Sequence, residues 1–142
     1  MQREDTVNHE QYVDVRGYAA VDECSALIRE AFADTFPAAE YFIPRDLSRS
    51  YAIARQEGDQ ITGCCFAVPS KLHTRHLNIR NSETRDYLDY YERKPGVHSI
   101  IMAVRPDRQS EGIGKRLQKE LELRARADGY EYIWGMQLEH LY

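Results

Sequence analysis

The order of apolar and polar residues in the first half of the chain predicts a strand, a helix and a β-hairpin. Apolar and polar residues alternate over residues 12–16, which places two valines on one face of a strand. A helix is expected from near Asp22 to before Pro37, because apolar residues recur there at intervals of three and four. Two further strand patterns, residues 51–55 and 61–68, flank a glycine-containing turn and predict a hairpin.

The second half of the chain predicts a buried central strand followed by an amphipathic helix. Residues 70–96 are polar and contain a short helix pattern around residues 82–91. Residues 97–104 form a nearly continuous apolar run, as expected for a strand that is covered on both faces. A regular helix follows, and then a last strand over residues 130–134. The apolar stripe of that helix consists of Ile113, Leu117, Leu121 and Ala125.

The composition is that of a globular domain. The chain has 142 residues, of which 42% are hydrophobic, 11% aromatic and 30% charged, which excludes a disordered or fibrous protein. No apolar run approaches the roughly 20 residues that a membrane helix needs. The three cysteines are an odd number and suit a reducing compartment better than a disulfide framework. We therefore expect one domain over residues 1–142, located in the cytoplasm.

Charge is unevenly distributed along the chain. The formal net charge is −4, yet residues 105–126 hold seven basic and four acidic residues, a balance of +3. Two interpretations stay open at this point. The stretch is either a solvated helix face with interleaved charges or a local binding site for an anion.

The loop before the long helix has the composition of a phosphate site. Gly112 and Gly114 let a ligand approach the backbone, and a helix N-terminus presents free N–H groups to it. The basic residues beside this loop are Arg108, Lys115 and Arg116. A dinucleotide fingerprint is excluded because Leu117 stands where its third glycine belongs. A Walker A loop is excluded because Gln109 and Arg116 replace its first glycine and its Ser or Thr.

The six residues 109–114, Gln-Ser-Glu-Gly-Ile-Gly, match the signature Q/R-x-x-G-x-G/A, and residues 101–106, Ile-Met-Ala-Val-Arg-Pro, precede them. This combination resembles motif A of the GNAT family, the acetyl-CoA-dependent N-acyltransferases. The upstream order of strand, helix, hairpin and central strand is also similar to that family. The resemblance implies an α/β (α+β) domain with a mixed, mostly antiparallel central sheet flanked by helices. It also implies that residues 70–96 are an insertion on the acceptor side.

The resemblance further implies roles for individual residues in transferring an acetyl group from acetyl-CoA to an amine. Arg108, Lys115 or Arg116 would meet the phosphates of coenzyme A, and Met102 and Val104 would offer backbone groups to its pantetheine arm. A backbone amide near Met102 would polarise the thioester carbonyl while the amine attacks directly in a ternary complex. The loop residues whose amides would hold the pyrophosphate are Gln109, Ser110, Glu111, Gly112, Ile113 and Gly114.

The general base is the first departure from the family pattern. Many members carry a glutamate on the central strand where this chain has Ile100. His98 and Ser99 are candidates at the same end of the strand, and histidine has the most suitable pKa for accepting a proton near neutrality. The preceding segment offers further candidates, namely His73, His76, Glu83 and Glu92.

The C-terminus is the second departure. Family members continue past the last predicted strand with a helix and a closing hairpin, whereas eight residues follow Trp134 here. The resemblance therefore predicts a domain that lacks the usual C-terminal hairpin, either as a naturally shortened member or because the end is missing. In the family, a tyrosine on that helix often acts as general acid. Tyr142 is the candidate for this role here, with packing as the alternative. Because an edge strand invites pairing, we expect either a homodimer or a fold-back of the last residues over their own sheet. The expected contact residues are Leu138, Leu141 and Tyr142.

Competing interpretations come from other classes of protein. A non-catalytic acyl-CoA-binding or regulatory domain would keep the phosphate loop without the base. A nucleic-acid or protein-binding module using residues 105–126 is disfavoured by the acidic residues there. No metal is expected. His73 and His76 have the spacing of two ligands on a helix, but the other potential ligands, Cys64 and Cys65, are adjacent in a strand and point to its opposite faces. The acceptor is either a small amine or a protein; nucleic acid and membrane are not expected as partners.

Overall fold

A computed structural model describes residues 10–73 and 80–135 of the chain. It contains a five-stranded sheet and three α-helices. The strands are β1 (Glu10–Asp14), β2 (Tyr51–Glu57), β3 (Gln60–Pro69), β4 (Gly96–Val104) and β5 (Tyr132–Trp134). The helices are α1 (Tyr18–Ala31), α2 (Ser82–Glu92) and α3 (Ile113–Ala127).

The strands follow one another across the sheet in chain order, β1 to β5. The pairs β1–β2, β2–β3 and β3–β4 are antiparallel, whereas β4 and β5 run parallel. The crossover between β4 and β5 consists of the loop at residues 105–112 and α3, as a parallel connection requires. This confirms the predicted mixed, mostly antiparallel sheet flanked by helices.

A hydrophobic core lies on each face of the sheet. The first core packs α1 against the sheet through Cys24, Leu27 and Ile28. The second packs α3 against the other face, and it includes the complete predicted stripe of Ile113, Leu117, Leu121 and Ala125. Cys64 belongs to the first core and Cys65 to the second, so adjacent residues of β3 point to opposite faces as predicted.

The ends of three elements differ clearly from the predictions. Strand β1 spans Glu10–Asp14 instead of residues 12–16. Helix α1 begins at Tyr18, earlier than expected, because Gly17 has a φ of 84° and turns the chain directly from β1 into the helix. The last strand is limited to Tyr132–Trp134. Its predicted first residue, Tyr130, instead donates its N–H to the carbonyl oxygen of Ala125 at 3.0 Å and completes the C-terminal cap of α3.

Two sequence-based predictions concern association with another chain and with a membrane. The expected dimer contact at Leu138, Leu141 and Tyr142 lies outside the described residues, so the homodimer stays a prediction. None of the helices formed by residues 10–73 and 80–135 is long and apolar enough to cross a membrane.

Replacing Leu117 by alanine is expected to lower the free energy of unfolding by about 2–5 kcal/mol. Leu117 is completely buried in the second core, so the substitution leaves a cavity between α3 and the sheet. Chemical denaturation measures the loss. Leu123→Ala is the matched control, because Leu123 lies on the same helix with 48% of its surface exposed and should cost less than about 1 kcal/mol. Equal losses in both variants would contradict the assignment of the core.

Candidate active site

The loop between β4 and α3 has the backbone shape of an anion site. A single 3₁₀ turn, Pro106–Arg108, leads out of β4, and Ser110 and Gly112 have φ values of 73° and 85°. Gly112 is the residue immediately before α3, and its carbonyl oxygen accepts the first helical bond from the N–H of Arg116 at 3.1 Å. Because glycine has no side chain to cap a helix, the N–H groups of the first turn remain for water or a ligand.

Gly114 is required by neither the turn nor the packing. A β carbon at this position would lie 3.8 Å from Met102 Sδ and 3.9 Å from Val104 Cγ2, which are ordinary contacts. A β carbon therefore fits the fold, and the glycine leaves that position between α3 and β4 without a side chain. The fold thus brings the predicted loop glycine together with two predicted strand residues.

The basic residues near the loop are in different environments. Arg108 donates to Glu57 Oε2 at 2.7 Å and to Glu111 Oε1 at 3.0 Å, so carboxylates surround its guanidinium. The guanidinium of Arg116 lies 5.8 Å from the ring of Tyr12. Lys115 is exposed in the first turn of α3. The predicted phosphate contact Arg108 is therefore already engaged by two acidic side chains.

The side chain of Gln109 fixes the loop to the strand. Its Nε2 donates to the carbonyl oxygen of Val104 at 3.2 Å. The first residue of the signature therefore stabilises the loop that we expect to hold the pyrophosphate.

In the described part of the chain, the three residues of β5 pair with the first three residues of β4. Their register joins Gly96 to Tyr132, Val97 to Ile133 and His98 to Trp134. In residues 10–73 and 80–135, the part of β4 from Ser99 to Val104 pairs with β3 alone. This leaves a strand edge of backbone polar groups beside Met102 and Val104. An extended ligand can hydrogen-bond to such an edge as an added strand does.

A β-bulge interrupts β4 at Ile100. The register shifts between two residue pairs, Phe66 with Ile101 and Ala67 with Ser99, so Ile100 is the extra residue on its strand. As a result, the successive residues Ile100 and Ile101 both pack against the first core. The position at which many family members carry a glutamate is therefore an apolar packing residue at a bulge.

His98 is held at the end of the β4–β5 pairing by an aromatic stack. Its ring lies parallel to the indole of Trp134, with 3.9 Å between ring centroids and an angle of 3°. The indole is itself fixed, because Nε1 donates to the carbonyl oxygen of Ser70 at 3.0 Å. Burial lowers the pKa of His98 below the ordinary value of 6.5, which keeps the imidazole neutral and able to accept a proton at neutral pH.

The predicted insertion, residues 70–96, is attached to the sheet by Tyr132. The Tyr132 hydroxyl accepts a hydrogen bond from the N–H of Leu72 at 2.9 Å and donates to the carbonyl oxygen of Tyr91 at 2.5 Å. Tyr91 packs edge-on against Tyr132, whereas Tyr87 and Tyr90 are 61% and 55% exposed. Leu72 and helix α2 are therefore held beside Tyr132, which pairs with the beginning of β4.

The remaining candidate residues are less closely connected to the loop. The backbone of β5 passes close to Ser99, because a β carbon at Gly135 would lie 2.8 Å from the Ser99 carbonyl oxygen. His73 Nδ1 lies 3.9 Å from Glu92 Oε1, and Glu83 is exposed in the first turn of α2. Two candidates, His76 and Tyr142, lie outside the described residues.

The cysteines have the character of core residues. Cys24, Cys64 and Cys65 are buried free thiols. A hydrogen bond between the Cys64 thiol and Cys24, together with burial, raises the pKa of Cys64. Burial raises the pKa of Cys65 to about 12. Since a nucleophilic thiol needs a lowered pKa, neither adjacent cysteine is suited to covalent catalysis.

Two residues of this region are not predictable as site residues from the sequence. Glu57, at the end of β2, binds Arg108 across 51 positions of sequence, and no local pattern indicates such a pair. Trp134 was predicted only as a strand residue, yet it stacks on His98. If the strand patterns at residues 97–104 and 130–134 are assumed to pair in parallel, Trp134 comes to lie near His98, and this is the signal that the sequence contains.

Solved structures with the same fold match this chain at low sequence identity. A GNAT family acetyltransferase from Brucella melitensis in complex with acetyl-CoA is 15% identical, with a TM-score of 0.67, and the match covers 92% of this chain and 77% of that one. An aminoglycoside acetyltransferase from an uncultured soil metagenomic sample, in complex with sisomicin, is 15% identical, with a TM-score of 0.60, and the match covers 91% and 76%. A ribosomal-protein-alanine N-acetyltransferase from Brucella melitensis biovar Abortus 2308 is 12% identical, with a TM-score of 0.57, and the match covers 94% and 86%. At these identities the likeness establishes the fold.

The family assignment comes from the sequence itself. A search of curated proteins finds no match. The family model of the acetyltransferase (GNAT) family, however, matches residues 21–141, which is most of the chain. The chain belongs to the GNAT acetyltransferase family, and this confirms the resemblance that motif A indicated.

Proposed function

We propose that this protein is an N-acetyltransferase that moves an acetyl group from acetyl-CoA to an amine. The observation that carries the proposal is Gly114, which leaves space between α3 and β4 that neither the turn nor the core requires. That space adjoins the unpaired edge of β4 and the N-terminus of α3, where a pantetheine arm and a pyrophosphate would bind. Residues 1–142 act as one domain in this proposal.

Each part of the site would bind a different part of acetyl-CoA. The amides of residues 109–114 hold the pyrophosphate, and Lys115 and Arg116 supply positive charge beside it. The backbone of Met102 and Val104 pairs with the pantetheine arm as an additional strand. This arrangement fixes the thioester near the bulge at Ile100, beside His98.

Acetyl transfer proceeds by direct attack of the amine on the thioester carbon. A new C–N bond forms, the C–S bond breaks, and coenzyme A leaves as the thiolate. A backbone N–H near Met102 stabilises the oxyanion that develops on the carbonyl oxygen. His98 accepts the proton that the amine loses, and the thiolate takes up a proton from solvent or from the Tyr142 hydroxyl. Holding amine and thioester together contributes much of the remaining acceleration.

The acceptor binds beside residues 70–96, at the mouth of the gap between β4 and β5. The exposed tyrosines Tyr87 and Tyr90 and the carboxylates of Glu83 and Asp86 make this face of α2 suitable for a cationic amine. Proteins of the same fold are an aminoglycoside acetyltransferase and a ribosomal-protein-alanine N-acetyltransferase. Both a small amine and a protein N-terminus are therefore suitable acceptors to test. The buried free thiols and the use of acetyl-CoA suit a cytoplasmic enzyme.

Incubation with labelled acetyl-CoA and a panel of amines tests the proposal. The panel contains aminoglycosides, polyamines and peptides that begin with alanine, and mass spectrometry identifies the product. We expect thiol release that depends on the amine, with one acetyl group added per coenzyme A released. Binding of acetyl-CoA without turnover on any amine would instead support the alternative, a non-catalytic acyl-CoA-binding domain, which the apolar residue Ile100 favours. A protein that does not bind acetyl-CoA would contradict both.

A further inference from the structure

A chain of alternating charges connects the interior of the β2–β3 hairpin to the glycine loop. Arg55 is only 7% exposed and donates to Thr62 Oγ1 at 2.6 Å and to Glu57 Oε2 at 3.0 Å. Arg108 Nη1 donates to the same Glu57 oxygen at 2.7 Å. Arg108 Nε then reaches both oxygens of Glu111, at 3.0 and 3.1 Å. Two arginines and two glutamates therefore form one neutral network.

The far end of this network lies within the predicted pyrophosphate loop. Glu111 is one of the residues 109–114, so it carries a negative charge on the same loop whose amides would receive a doubly charged ligand. An unpaired carboxylate there would repel the pyrophosphate. Arg108 compensates that charge with a guanidinium that bridges Glu111 to Glu57 on the hairpin.

At the hairpin end, the network is stabilised by the ionised carboxylate of Glu57 and by further hydrogen bonds to β3. The guanidinium of Arg108, followed by that of Arg55, holds the pKa of Glu57 below its ordinary range, so the carboxylate is ionised at neutral pH. The neighbouring residue Arg105 adds two more connections, because its N–H donates to the Thr62 carbonyl oxygen at 3.0 Å and its Nη1 to Gln60 Oε1 at 2.9 Å. Moving Arg108 towards a ligand would break both of its ion pairs and leave Glu111 uncompensated.

We propose that Arg108 is a positioning residue that neutralises Glu111 and fixes the loop to the hairpin, while Lys115 and Arg116 meet the phosphates. The inference rests on the proposed function, since it concerns the same coenzyme A site. The sequence offers Arg108, Lys115 and Arg116 as equivalent contacts of the phosphates, whereas this inference separates Arg108 from the other two. Its consequence is that the effect of Arg108 on binding depends on the charge of Glu111.

A double-mutant cycle tests this dependence by calorimetry of acetyl-CoA binding at low salt. Arg108→Gln should weaken binding about 5- to 10-fold, because Glu111 then repels the ligand over a distance of several ångströms. Glu111→Gln alone keeps the backbone amide of the loop and removes a negative charge from it, so it should bind acetyl-CoA more tightly than the parent. The double variant Arg108→Gln/Glu111→Gln should return to within about twofold of the parent. The deficit of the Arg108→Gln variant should also shrink as salt is added, which a purely structural loss would not do.

Arg105→Gln is the matched control for loss of a cation from the same loop. Arg105 pairs with Asp107 at 2.9 Å and does not contact Glu111, so its loss should change affinity less than about twofold. Equal weakening by Arg108→Gln in the presence and absence of the Glu111 carboxylate would overturn the inference and assign Arg108 to a phosphate. Tighter binding by the Glu111→Gln variant supports the inference even if the Arg108→Gln variant does not fold, and weaker binding overturns it. A parent protein that fails to bind acetyl-CoA overturns the proposed function itself, whereas a binding parent without rescue overturns only this inference.

Discussion

Replacing Gly114 by leucine is expected to weaken acetyl-CoA binding at least about 100-fold while the protein remains folded. The position has no positive φ, and its β carbon would make only ordinary contacts with Met102 and Val104. The added side chain would occupy the space beside the N-terminus of α3 that the ligand needs. Calorimetry measures the affinity, and thermal unfolding of the same samples measures stability.

Further variants at Gly114 and Gly112 distinguish the effect of filling the binding space from the effect of backbone strain. Gly114→Ala should weaken binding much less than Gly114→Leu, because only one methyl group enters the site. Gly112→Ala adds strain, since φ is 85° there, but a β carbon at that position meets nothing within 4 Å. It should therefore lower stability by about 1 kcal/mol and change affinity little, whereas Gly112→Trp should block binding. Unchanged affinity in both the Gly114→Leu and the Gly112→Trp variants would mean that the glycines serve only the turn.

Those parts of the fold that depend on local periodicity were predictable from the sequence. The stripe of α3 repeats every four residues and is buried as a unit, because one helix face packs on one sheet face. The hairpin of β2 and β3 followed from two strand patterns around a short turn at Gly58. The glycine loop was predictable for the same reason, since its signature is a continuous stretch of the chain.

Features that depend on distant residues were not predictable in this way. Arg108 has the composition of a phosphate ligand, and only its contact with Glu57 on another element indicates a different role. The bulge at Ile100 depends on the register with β3, which the apolar run of β4 does not specify, because both of its faces are covered. Helix α1 begins earlier than predicted because the positive φ of Gly17 starts it directly after β1.

The stack of His98 on Trp134 shows how such a distant contact changes the chemistry of a candidate residue. From sequence alone, His98 was one of several possible bases. In the fold it lies where the pairing of β4 and β5 ends, with its ring against an indole that Ser70 holds in place. Burial then favours the neutral imidazole. Position and protonation state together make His98 the strongest candidate among the described residues.

Replacing His98 by alanine is expected to lower turnover about 100-fold, with little change in the affinity for acetyl-CoA. In the proposed mechanism the imidazole takes the proton from the attacking amine, so its loss would leave that task to water. Coenzyme A binding depends on the loop and the edge of β4, which the substitution does not touch. Steady-state kinetics gives kcat and kcat/KM for the best amine of the panel, and calorimetry gives the affinity for acetyl-CoA.

The pH dependence provides the decisive comparison for His98. Because burial lowers its pKa from 6.5, the fraction of neutral base stays high down to below pH 6.5 and is lost only as the pH falls through the lowered value. The parent should therefore show an acid limb in kcat/KM below pH 6.5, and the His98→Ala variant should lose that limb along with its rate. His73→Ala is the competing variant, since His73 is a described histidine in the insertion, 3.9 Å from Glu92. A large loss in the His73 variant with an unchanged rate in the His98 variant would move the base to residues 70–96.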